Sequence, residues 1–245
     1  MTEIHSEVCV DSGSGAFAAF EAGAHRIELC QELAVGGLTP SAGLLRSACR
    51  LGIDVVVLIR PRAGDFVYDE SEVATMTEDI VMAREMGARG VAVGALTPDG
   101  RVDQDAMARW VDAAGDLPVC FHRAFDGVAD PFEAMQVLGE LRVARILTSG
   151  QRQNVVAGLS LLRRLVQASP VGLEIMPGGG VRAENAARVL RESGARSLHF
   201  SARTPMPPVV EYTNLACDLH DPARHARTTT SVEEIRRYLD AMRQV

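Results

Sequence analysis

Two tripeptides of one form, Glu7-Val8-Cys9 and Glu28-Leu29-Cys30, close consecutive apolar runs that read as β-strands. Side chains two apart on a strand share a face, so each tripeptide sets a carboxylate beside a thiol. Thiolates are soft metal ligands and nucleophiles, and carboxylates transfer protons. If the two strands are neighbours, both pairs converge at one end of a sheet. Cys9 and Cys30 then suit Cu(I), chosen by ligand softness, better than zinc, whose closed sites take four ligands. The plainer alternative is a pair of small buried fillers. A carboxylate inside a protein is costly unless paired, so Glu7 and Glu28 are candidates for an acid/base pair whose pKa values are driven apart. Arg60, Arg62 and His122 are their expected partners.

Other strand ends carry more of this chemistry. Arg60 and Arg62 flank Pro61 and share a face if the strand persists, presenting planar forks suited to carboxylate or phosphate. Cys120 and His122 share a face, and Arg123 and Asp126 follow closely, which makes His122 and Asp126 candidate catalytic groups beside Glu7, Glu28, Arg60 and Arg62. Gly178, Gly179 and Gly180 precede a helical pattern, where backbone N–H groups can approach an anion. Thr148 and Ser149 offer hydroxyls beside them, and Ser201 and Arg203 complete the candidate anion-binding set.

The elements that must position these residues alternate along the chain. Strands are expected near 4–10, 26–30, 54–60, 90–94, 117–122, 144–148, 172–176 and 197–200. Helices are expected near 14–23, 40–51, 70–86, 103–114, 131–139, 154–168, 183–193 and 231–243. Thr39-Pro40 reads as an N-cap followed by Pro at the first helical position, and Gly52, Gly87 and Gly194 stand where helix ends need positive φ. The joins Glu21-Ala22-Gly23-Ala24, Glu85-Met86-Gly87-Ala88 and Glu192-Ser193-Gly194-Ala195 share a form, as if one αβ turn were reused. This is the pattern of an α/β chain folded as a single (β/α)8 TIM barrel over residues 1–245, whose active site would lie at the carboxyl ends of the strands. A doubly wound open sheet fits less well, because Gly13-x-Gly15 lacks a third glycine. Residues 203–230, with four prolines, are expected to form a long irregular loop before a closing helix at 231–243, capped by Ser231 with Glu234 three residues on.

Composition narrows the function classes. The 245 residues are 47% apolar and carry a net charge of −7, with no basic run, so neither nucleic acid nor an anionic membrane is an expected partner. The N-terminus lacks the pattern of a secretory signal, and no stretch nears the roughly 18 apolar residues of a membrane span. A cytoplasmic location is therefore expected, and the five cysteines are expected to be reduced. All 25 basic residues are arginine, which excludes Schiff-base chemistry through lysine.

Read together, Arg26–Ser41, Ile59–Tyr68, Asp79-Ile80, Val93–Asp103, Phe121–Asp126, Arg145–Gly150 and Met176–Val181 resemble the copper homeostasis protein CutC family over roughly residues 4 to 203. The resemblance implies a (β/α)8 barrel, a cytoplasmic location and a homo-oligomer, most simply a dimer. It also implies that Cys9 and Cys30 are the Cu(I) ligands. The residues leave two functions open. One is a copper-binding protein of intracellular copper homeostasis. The other is a barrel enzyme, an isomerase, lyase or hydrolase, acting on a small anionic or phosphorylated metabolite.

Overall fold

The computed structural model describes residues 4–206 and 227–245. Alternating apolar runs and helices build β1 (His5–Val10), α1 (Gly13–Ala22), β2 (Arg26–Leu29), α2 (Ala42–Cys49), β3 (Asp54–Leu58), α3 (Glu70–Glu85), β4 (Gly90–Val93), α4 (Gln104–Ala114) and β5 (Val119–Phe121). They continue with α5 (Pro131–Glu140), β6 (Arg145–Thr148), α6 (Leu159–Ala168), β7 (Glu174–Pro177), α7 (Ala183–Ser193) and β8 (Ser197–Phe200). Strands β1 to β8 form one eight-stranded parallel sheet in which β1 pairs with both β2 and β8. β7 meets β8 through the parallel bridge of Gly178 to His199, which closes the sheet into the expected TIM barrel.

Strand alternation sorts the side chains into two layers. Val8, Val10, Ile27, Leu29, Val55, Val57, Val91, Val93, Phe121 and Ile146 face the helices in the main core. Cys9, Cys30, Val56, Leu58, Ala92, Cys120, Leu147 and Met176 form a second cluster inside the barrel. The β1/β2 register is staggered by two residues relative to the repeated tripeptides. Glu7 stands opposite Arg26, and Cys9 stands opposite Glu28. Barrel closure requires such stagger. The two Glu-x-Cys units therefore climb like a staircase instead of meeting level.

The shared αβ turn is present. Gly23, Gly87 and Gly194 all adopt the left-handed conformation, with φ of 81°, 95° and 76°. Other boundaries shift from expectation. α2 is capped by Ser41, whose hydroxyl accepts from the Leu44 N–H, while Thr39 is tied to the Arg60 backbone. α6 starts at Leu159, because Gly158 packs directly on the Ser149 carbonyl. β3 ends at Leu58, so Arg60 and Arg62 do not share a strand face. The ends of the 203–230 segment are ordered: β9 (Arg203–Met206) pairs antiparallel with β10 (Arg227–Thr230), and the rest of that expected loop, with Cys217, lies outside the described residues. The closing helix α8 (Val232–Met242) has the Ser231 cap, accepting from the Glu234 N–H, and Tyr238 stacks on Phe200 at 4.4 Å between ring centroids.

Two glycine substitutions separate conformation from contact. A Cβ at Gly87 would meet nothing within 4 Å, so Gly87→Ala is expected to cost only the left-handed backbone penalty, about 1–2 kcal/mol. A Cβ at Gly158 would fall 1.9 Å from the Ser149 carbonyl oxygen. Gly158→Ala is expected to cost more than about 4 kcal/mol or to prevent folding. Urea unfolding of the two variants checks the difference.

Candidate functional site

The barrel floor is built from charges that cannot stand alone there. Glu7 has no exposed surface. Its Oε2 accepts from Arg26 Nε at 2.5 Å, and its Oε1 lies 2.8 Å from His199 Nδ1. Burial would raise the pKa of this carboxyl, but the bond to His199 and the charges of Arg26 and His199 bring it down to about 2. Arg26 reaches further, with a terminal nitrogen 3.2 Å from the Met176 sulfur. The structure thus supplies Glu7 with Arg26 and His199 in place of the expected Arg60, Arg62 and His122.

One level up, His199 turns its other nitrogen toward Glu28, with Nε2 3.8 Å from Glu28 Oε2. The same carboxylate oxygen lies 3.4 Å from Cys9 Sγ, and Cys9 Sγ lies 3.8 Å from Cys30 Sγ. Single donor atoms of Cys9, Glu28 and His199 all fall within 4.8 Å of one another. Burial raises the pKa of Glu28, and the charge of Glu7 adds to the rise. The bond to Cys30, then burial, hold the Cys9 thiol well above its usual range. The His199 imidazole is raised despite burial, chiefly by Glu28 and by its bonds to Cys9 and Glu7. At neutral pH the cluster therefore holds protons that an incoming cation would displace.

Above this floor opens a cavity of about 430 Å3 at the carboxyl ends of the strands. Among the candidate residues, Cys9, Glu28, Arg60, His122, Gly179, Gly180, Ser201 and Arg203 line it. Glu7 and Cys30 lie beneath, fully buried. The remaining candidates are held elsewhere. Arg62 is engaged by Glu72, Asp65 and the Val67 carbonyl. Asp126 accepts from Thr148 Oγ1 at 2.6 Å and from the N–H groups of Ser149 and Gln151, and it pairs with Arg123. Thr148, Ser149 and Asp126 together fasten the β6 loop behind the cavity wall. Gly178 sits where a Cβ would strike Leu147 at 2.4 Å, and one on Gly180 would strike Asn154 at 2.7 Å. Gly179 and Gly180 adopt positive φ, and α7 begins only at Ala183.

Three buried polar atoms of the lining residues have no hydrogen-bond partner among the described residues: Glu28 Oε1, Arg60 Nε and His122 Nε2. The terminal nitrogens of Arg60 are occupied by the carbonyls of Val35, Gly37 and Gly64. His122 accepts from the Ala124 N–H at Nδ1, which assigns the proton of the neutral ring to Nε2. Burial, then the nearby Arg60 charge, lower the His122 pKa to about 3. His199 and Arg26 join the cluster without standing among the candidate site residues of the sequence. The signal for His199 was available, because strand eight of a closed barrel returns beside strand one.

Comparison with known proteins agrees with this architecture. The sequence model of the CutC family matches residues 4–204. A CutC family protein from Parabacteroides distasonis is 44% identical over 210 residues, 85% of this chain and 86% of its own. The human copper homeostasis protein cutC homolog is 43% identical over 209 residues, 85% of this chain and 77% of its own. Among solved structures, a candidate copper homeostasis protein CutC from Streptococcus agalactiae superposes with a TM-score of 0.77 at 35% identity, covering 81% of this chain and 98% of that one. Phosphoribosyl anthranilate isomerase from Thermotoga maritima shares the fold alone, with a TM-score of 0.61 at 13% identity over 99% of this chain and 100% of that one.

Two outcomes follow from the electrostatics. Glu7→Gln leaves Arg26 and His199 with an uncompensated buried charge, and a loss of about 3–5 kcal/mol is expected in urea unfolding. His122 is depressed in the folded state, so it contributes stability at neutral pH that is lost as pH falls from 6.5 toward about 3. Nitrogen-15 histidine NMR at pH 5 is expected to find this ring neutral and protonated at Nε2; an imidazolium would contradict the assignment.

Proposed function

The chain belongs to the CutC family, and on that premise we propose that it binds Cu(I) for copper homeostasis at Cys9, with Cys30 and His199 completing the coordination. The observation that carries the reading is the convergence of donors at the cavity floor. Cys9 Sγ, Glu28 and His199 lie within 4.8 Å of one another, and a second sulfur stands 3.8 Å from the first. Two thiols and an imidazole are the soft and borderline donors that favour Cu(I), and Glu28 Oε1 lacks a hydrogen-bond partner among the described residues. Glu28 supplies a carboxylate beside the thiol, a place for the proton that metal binding releases. Cys9 lines the cavity while Cys30 is sealed behind it, so copper would enter against Cys9 first. Copper is cargo in this reading, and Glu7, fixed by Arg26, keeps His199 turned toward the site. A reducing cytoplasm suits Cys9, Cys30, Cys49 and Cys120, which are free thiols among the described residues, and a homodimer is the assembly carried over from the family resemblance.

An anaerobic Cu(I) titration against a colorimetric chelator tests the assignment. Cys9→Ala is expected to weaken binding by about 100-fold, and Cys30→Ala by less, with folding retained in both. Affinity is expected to rise with pH as the thiol proton is displaced. Binding unchanged by Cys9→Ala would remove the site from consideration.

A further inference from the structure

The mouth of the cavity carries chemistry that a copper site at the floor does not use. Arg60, Arg123 and Arg203 bring three guanidinium groups to the lining, against the single carboxylate of Glu28. Arg203 is exposed and has no carboxylate partner among the described residues. Arg123 is bound on one side by Asp126, and a terminal nitrogen reaches Ser149 Oγ at 3.3 Å. The bare backbone of Gly179 lets that guanidinium approach, since a Cβ there would lie 3.1 Å from Arg123 Cζ.

His122 gives this charge a direction. The residue is 4% exposed. Gly94 lies against the ring, where a Cβ would fall 2.7 Å from Cε1 and Nδ1. Phe66 packs at 4.9 Å between centroids, and the Ala124 N–H occupies Nδ1. The ring is therefore locked, and its remaining N–H, among the cavity-lining groups, meets no acceptor. Leaving such a donor unsatisfied in a buried position costs about 1–3 kcal/mol, which a ligand oxygen would recover. Copper cannot serve here, because the nitrogen that faces it carries a proton and the neighbouring groups are cations.

We propose that the mouth of this cavity binds a small organic anion, one of whose oxygens accepts from His122 Nε2 while Arg123 and Arg203 balance its charge. The size of the cavity, about 430 Å3, suits a metabolite. A ligand hydroxyl reaching Glu28 Oε1 would satisfy the other unpartnered atom of the wall. The anionic oxygen can belong to a phosphoryl group or to a carboxylate, which present the same acceptors. This inference stands apart from the copper reading, since His122, Arg123 and Arg203 are not among the copper donors.

The test uses the copper-free full chain, labelled with nitrogen-15 histidine, at constant ionic strength. Inorganic phosphate, 2-phosphoglycolate and succinate are titrated separately, with chloride as the control. A saturable shift of the His122 Nε2 signal with any of the three supports the proposal. A response to phosphate or phosphoglycolate only assigns a phosphoryl oxygen, and a response to succinate only assigns a carboxylate. His122→Phe is expected to weaken binding about tenfold or more, and His122→Gln, which keeps a donor and an acceptor, to restore part of it. Arg203→Ala, an exposed substitution that leaves the fold intact, is expected to weaken binding severalfold. No shift with any anion, or binding indifferent to both His122→Phe and Arg203→Ala, would overturn the proposal whatever the copper titration returns.

Discussion

Inside the barrel a fully buried carboxylate, Glu7, is clasped between a guanidinium and an imidazole. The donor cluster on the barrel floor is stacked on that clasp. A carboxylate without partners is not tolerated in such a place, so Arg26 and His199 are as obligatory as Glu7 itself. The clasp also aims. With Nδ1 committed to Glu7, the other nitrogen of His199 faces Glu28, and Glu28 in turn reaches Cys9. Replacing these charges by well-packed apolar residues would often be neutral or stabilising in a purely structural barrel. Here the charges stand in line and end on a thiol that borders a cavity.

The cavity then divides by chemistry along its depth. Sulfur, imidazole and carboxylate donors crowd the floor, where protons are held by burial and by one another. Guanidinium groups and a neutral imidazole donor occupy the wall above. A soft cation suits the first environment and an oxyanion the second. The loop fastened by Asp126 supports the wall from behind without entering it. Thr148, Ser149 and Gln151 all donate to that carboxylate, and Arg123 is anchored by it at the rim.

Much of the fold was legible from the chain itself, because period-two alternation and the repeated Glu-x-Gly-Ala joins report directly on strand faces and helix ends. The thiol and carboxylate on one face of β1 and β2 were equally plain. The level at which they meet was not, since the two-residue stagger comes from barrel closure and has no local signal. That stagger decides the partners: it sets Cys9 beside Glu28 and leaves Glu7 to Arg26. Arg60 and Arg62 illustrate the reverse error. Two arginines flanking a proline look paired, but the strand stops at Leu58, and Arg62 turns to the first turn of α3 at Glu72. The triple glycine is packed too closely for side chains, with Leu147 beside Gly178 and Asn154 beside Gly180, a constraint that no local pattern in the chain announces.

If the donor cluster on the barrel floor takes a soft metal, the metal must sit against Cys9. The most direct measurement is an anomalous difference map at the copper edge from crystals of the protein loaded with Cu(I) under anaerobic conditions. A single strong peak is expected at bonding distance from Cys9 Sγ, with Cys30 Sγ or His199 Nε2 as the next ligand. A peak confined to surface histidines, or none at the floor under full loading, would contradict it.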